Sequence, residues 1–249
     1  MNKKEFEEIQ EQMVKTLLVY EGFCKKANLL KARYNVLFGK YTETEIKLKL
    51  ENELIVNVVK MLNDKKSLNE VEQIISKGKA IYSKAQVDMA KEFEHDALVV
   101  KSFEDEQQII TSEEAFKEYV TRNHPAIKMS VSNNEAQLYN ALRSLYCENN
   151  ASGFNSVLEM NKNLLSQVEF TEDKYTEYYK YYMNTARQIQ LDMQKRLKAF
   201  PFIKEAVFTD DMSIAAEQAD IRVRINALTG VNKALHVDLI SVYGEDINL

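Results

Sequence analysis

Residues 6–37 read FEEIQEQMVKTLLVYEGFCKKANLLKARYNVL, and the spacing of their apolar side chains decides the fold class. Phe6, Ile9, Met13, Leu17, Tyr20, Cys24, Ala27, Leu30, Tyr34 and Leu37 follow one another in steps of three and four. That rhythm places them on one face of an α-helix, whereas a half-buried strand would alternate every second residue. A helix of ~35 residues is about 50 Å long, which suits a helical hairpin or coiled coil better than a small globule. Gly22 interrupts it at a cost of roughly 1 kcal/mol relative to Ala, and Phe38-Gly39-Lys40 offers a place to turn or bend.

Outward from that stripe, four Ser/Thr-x-x-Glu patterns stand just ahead of apolar-periodic runs: Thr42 to Glu45, Ser67 to Glu70, Thr111 to Glu114 and Ser132 to Glu135. In a capping box the hydroxyl and the carboxylate each satisfy a backbone N–H that the first helical turn leaves unpaired, so each pattern predicts a helix start. After the Thr42 box, Ile46, Leu50, Leu54, Val58 and Leu62 carry a second helix. Beyond the Ser67 box, Val71, Ile74, Ile75, Ile81, Met89 and Phe93 carry a third. Further helices are expected from Ser132, from Phe154, from Thr171 to Ala199 and from Asp210 onward. In the last run Ile221, Val223 and Ile225 alternate like a strand, but Ile214, Ile221, Ile225, Leu228, Val231, Leu235, Leu239 and Val242 keep helical spacing, with Gly230 as a weak point. The expected fold is all-α: long antiparallel helices over 1–110, a helical pair over 111–160 and a C-terminal helical bundle over 161–249.

Composition agrees. Six Gly and two Pro in 249 residues are too few for the many turns of β or α/β folds. A net charge of −5 argues against a chain that lives on nucleic acid, which demands a basic face. Cys24 and Cys147 have no metal-type spacing and are expected to be packing thiols in a reducing compartment. No run of about 18 apolar residues is present to span a membrane. The charged start MNKKEFEEIQEQ lacks the apolar core of a signal peptide, so a cytoplasmic location is expected.

Chemistry-bearing motifs are sparse. There is no glycine-rich phosphate loop, no Gly-x-Ser-x-Gly elbow and no pair of metal-type histidines. Glu92-x-x-His95 occurs once, where a carboxylate di-iron bundle needs two such pairs. The tyrosines at 175, 178, 179, 181 and 182 could stack on bases, but in an acidic chain they are expected to pack, with their hydroxyls at the rim. No catalytic residue, no metal ligand and no cofactor is expected.

One segment has a recognisable form: residues 113–160, EEAFKEYVTRNHPAIKMSVSNNEAQLYNALRSLYCENNASGFNSVLEM. A helix with Phe116, Tyr119 and Val120 stops at His124-Pro125, because the residue before proline is driven out of the helical region. A second helix restarts at Ser132 with Leu138, Tyr139, Leu142 and Leu145. This resembles the second and third helices of a J domain, whose connecting loop carries His-Pro-Asp. Phe38-Gly39, the Ser67 box, His124-Pro125 and Gly153-Phe154 also stand in the order found in bacterial J-like proteins, so the resemblance covers roughly residues 34–160.

In J domains this loop and a basic second helix engage a DnaK-type ATPase and stimulate hydrolysis. The resemblance therefore points to His124 and Pro125 in the loop, and to Lys117 and Arg122 on the helix, as the partner-binding residues. Ala126 stands where the family has aspartate, and Glu114 and Glu118 dilute the basic face, so ATPase stimulation is not expected. The expected function is that of a non-enzymatic helical interaction or scaffold protein with a degenerate J-like segment, with a DnaK-type co-chaperone as the alternative. The expected partners are a protein, a DnaK-type chaperone among the candidates, and a second copy through the long helices, with neither nucleic acid nor membrane.

Overall fold

The computed structural model describes residues 1–165 and 170–244. The fold is all-α, and no strand occurs among these residues. Its helices are α1 (Lys3–Asn63), α2 (Leu68–Ser102), α3 (Glu106–Asn123), α4 (Pro125–Lys128), α5 (Asn133–Cys147), α6 (Ala151–Met160), α7 (Tyr175–Leu197) and α8 (Asp211–Tyr243), with short 3-10 turns between α6 and α7 and between α7 and α8. No helix among the described residues is long and apolar enough to cross a membrane.

Two of the four expected helix starts are real. At Ser132 the box is complete: the Ser132 hydroxyl accepts from the Glu135 N–H, and the Glu135 carboxylate accepts from the Ser132 N–H at 2.9 Å. Ser67 and Glu70 repeat the arrangement ahead of α2. The other two patterns lie inside helices. α1 runs unbroken through Gly39 and Thr42, whose hydroxyl donates back to the Phe38 carbonyl at 3.2 Å, while Glu45 pairs with Lys49. α3 begins at Glu106, because the Asp105 carboxylate accepts from the Gln108 N–H at 3.1 Å, and Thr111 donates back to Gln107. A threonine with a glutamate three residues on caps a helix or decorates its surface equally well, since the hydroxyl can bond the carbonyl four residues back. Ser132→Ala should therefore cost about 1 kcal/mol in denaturant unfolding, whereas Thr42→Ala should stay within about 0.5 kcal/mol.

Contacts divide the chain into two compact units, Met1–Arg33 with Ala97–Glu205 and Tyr34–Asp96 with Ala206–Leu249. This division crosses the chain-order segments 1–110, 111–160 and 161–249, because α1 and α2 each contribute to both units. Residues 166–169 and 245–249 of the last segment lie outside the described residues.

In the first unit the N-terminal half of α1 buries Phe6, Met13 and Leu17 against α3, α5, α6 and α7. Phe6 stacks on Tyr175 with ring centroids 4.3 Å apart and meets Tyr178 edge-on. The tyrosine cluster of α7 is thus a packing surface: Tyr175, Tyr178 and Tyr182 are buried, and the Tyr182 hydroxyl donates to the Ile127 carbonyl at 2.9 Å. Phe116 of α3 stacks on Tyr146 of α5 at 3.9 Å and meets Phe154 of α6 edge-on. Each ring buried this fully contributes about 1.5–3 kcal/mol.

In the second unit residues 34–63 of α1 and residues 68–96 of α2 form an antiparallel hairpin, with Asn35 bonded to Asp96 and Lys47 over the Tyr82 ring. Gly78 allows the close approach, since a methyl there would stand 2.8 Å from Leu54 Cδ1. α8 runs parallel to this part of α1: Tyr34 bonds Glu217, Arg222 bonds Tyr41, and Asn232 bonds Asn52. Helical spacing prevails over the Ile221-Val223-Ile225 alternation, with Ile221 1% exposed and Val223 66% exposed.

Candidate functional site

The corner between α3 and α5 is built by Pro125. It forces His124 into an extended conformation (φ −61°, ψ 133°), ends α3, and then occupies the first position of α4. His124 does not project from the corner. It is 5% exposed, and its Nδ1 accepts the Ala126 N–H at 3.0 Å, which caps α4. With Nδ1 an acceptor, the ring proton sits on Nε2, which stands 3.1 Å from the Tyr139 hydroxyl oxygen and donates to it. Tyr139 passes its own proton inward, donating to Glu21 Oε1 at 2.7 Å.

Glu21 is the centre of the arrangement. It lies on α1 with none of its surface exposed, and its second oxygen accepts from Arg143 Nε at 2.6 Å. Burial alone would raise its carboxyl, but the His124 contact, the Arg143 charge and the Tyr139 hydrogen bond outweigh that cost and hold it below the ordinary range. Burial, reinforced by the Glu21 charge, pushes the Tyr139 hydroxyl up, so it remains a donor. Arg143 also donates from Nη2 to Cys24 Sγ at 2.9 Å.

One turn further along α1 the charges reverse. Lys25, also buried, donates to Glu113 of α3 at 2.8 Å and to Asn149 at 3.1 Å, and its ammonium lies 4.4 Å from the Tyr146 ring centroid. Tyr146 donates to the other Glu113 oxygen at 2.9 Å. Glu21 and Lys25 thus grip α5 and α3 with opposite signs. A slip of α1 by one turn would bring like charges together, so the pair fixes the register of these helices.

Of the residues expected to bind a partner, His124 and Pro125 share the corner. Lys117 and Arg122 are exposed on α3, and no hydrogen bond joins either side chain to His124 among the described residues. Arg122 instead lines a 380 Å³ groove between α3 and α6. The sequence reading missed Glu21, Lys25 and Arg143. The signal for the first was present: Glu21 stands four residues after Leu17 and three before Cys24, which puts a charge on the apolar stripe. Glu92 and His95 join no metal cluster, as no group of three or more His, Cys, Asp or Glu among the described residues could hold an ion.

Comparison of the chain with protein-family models, with curated proteins and with solved structures yields no match.

Proposed function

We propose that this chain is a non-enzymatic helical scaffold in which a degenerate J-like helical pair serves as a packing unit. The observation that carries the reading is the inward placement of His124, whose two ring nitrogens are engaged by the Ala126 N–H and the Tyr139 hydroxyl. A histidine used in this way holds α4 and α5 against α1 and has no ring nitrogen left for a partner. The absence of a carboxylate at Ala126 supports the same conclusion. Binding then falls to the exposed faces of the long helices.

The alternative, a co-chaperone of a DnaK-type ATPase, is favoured by the exposed cations Lys117 and Arg122 on α3. Lys117→Glu with Arg122→Glu separates the two readings, because surface charge reversals leave stability within about 0.5 kcal/mol. Cross-linked capture from the native cell should recover the same protein partner with the double variant as with the unaltered chain. Recovery of a DnaK-type chaperone that disappears with the double variant would overturn the scaffold reading.

A further inference from the structure

The chain has two cysteines, Cys24 and Cys147, and the first unit brings them to one place. Both line an open cavity of about 540 Å³ between α1, α5 and the turn that follows α7. The contact ties them crosswise. Arg143, one turn before Cys147 on α5, donates from Nη2 to Cys24 Sγ at 2.9 Å, and Asn28, one turn after Cys24 on α1, donates to the Cys147 carbonyl at 3.0 Å. Residues four apart on a helix share a face, so the two thiols stand on facing surfaces of a single α1–α5 contact. Burial pushes Cys147 up to about 12, and the charge of Cys24 adds to the shift, a coupling that falls off with distance.

The reduced pair is slow to react. Burial raises Cys24 as well, with the Arg143 charge offsetting part of the rise, so thiolate is scarce near neutral pH. Access and slack are nevertheless both present. Cys147 is half-buried on the cavity wall, within reach of a small reagent. It is also the last residue of α5, two before Asn149 at φ 57°, and a helix end shifts more readily than its middle. The cavity's two arginines are already paired, Arg143 with Glu21 and Arg196 with Asp192, which leaves the thiols as its distinctive groups.

We propose that Cys24 and Cys147 form a reversible disulfide that clamps α1 to α5, with a small-molecule disulfide as the oxidant. The Cys147 thiolate attacks one sulfur of the reagent, breaks its S–S bond and releases one small thiolate. The Cys24 thiolate then attacks the Cys147 sulfur of the mixed disulfide and displaces the second. Two cysteine thiols are oxidised, the reagent is reduced to two thiols, and the protons of the cysteines pass to the departing thiolates. The new bond closes the long loop from residue 24 to residue 147, and a crosslink constrains the unfolded chain more as its loop lengthens. This assignment is independent of the scaffold reading and would survive its failure.

Incubation of the intact, folded protein with 2-hydroxyethyl disulfide for hours, followed by denaturation and alkylation with iodoacetamide, tests it. The expected product is a monomer lighter by two hydrogen atoms, with neither cysteine alkylated. Its denaturant midpoint should lie above that of the reduced protein and return on treatment with dithiothreitol. Cys24→Ser should stop at the mixed disulfide on Cys147. In the unaltered chain, a mixed disulfide as the end product, a cross-linked dimer, two thiols still open to alkylation, or a midpoint no higher than that of the reduced protein would each overturn the proposal.

Discussion

Glu21→Ala is expected to lower the free energy of unfolding by about 3–5 kcal/mol, the range for removing one partner of a buried ion pair. The loss has a definite origin. Glu21 has no exposed surface and accepts hydrogen bonds from Tyr139 and Arg143. Without it, a hydroxyl and a guanidinium face each other across a cavity, and His124 rests on a tyrosine that has lost its own acceptor. Removing the network as a unit should cost far less, because apolar replacements leave no unpaired group. Glu21→Leu with Tyr139→Phe and Arg143→Leu should recover much of the stability lost in Glu21→Ala.

The same residue predicts an acid dependence. Its folded carboxyl is depressed below the unfolded value of about 4.3, so its contribution is fully present above that value and is lost as pH falls through the lower, folded one. Between about pH 5 and pH 3 the unaltered protein should lose stability more steeply than Glu21→Gln, as chemical denaturation at a series of pH values would show. Equal slopes would mean that the Glu21 carboxyl is not depressed.

Phe116→Ala is the second large effect, about 3–5 kcal/mol from lost burial and the cavity left behind. Phe116 lies at the meeting point of α3, α5 and α6, stacked on Tyr146 and edge-on to Phe154. Phe116→Leu, closer in volume, should cost less than half as much. Amide exchange in residues 113–154 should accelerate in the alanine variant, and unchanged protection there would contradict the packing role assigned to this pair. A surface pair kept for docking would tolerate both changes.

The all-α class was legible because three- and four-residue steps over long runs admit no other periodicity. Helix starts were legible only in part. Ser132 and Thr42 head the same four-residue pattern, and what distinguishes them is whether the preceding chain is already helical. α1 passes through Phe38-Gly39-Lys40 without a break, and nothing local announces this. The His124-Pro125 corner was legible as a corner, since proline fixes the backbone before it. Its inward-facing histidine was not, because that depends on Tyr139, fifteen residues on, and on Glu21, more than a hundred residues earlier. The stray charge on the apolar stripe at Glu21 was the available clue. Lys25 gave none, since an exposed lysine beside the stripe has the same sequence pattern.

We propose that the His-Pro corner holds the fold together and does not drive a chaperone cycle. Single-turnover ATP hydrolysis by a DnaK-type ATPase, measured with and without the intact protein, tests it most directly. The account predicts an unchanged rate with the unaltered chain and with Lys117→Glu/Arg122→Glu alike. A several-fold stimulation that this charge reversal abolishes would contradict it.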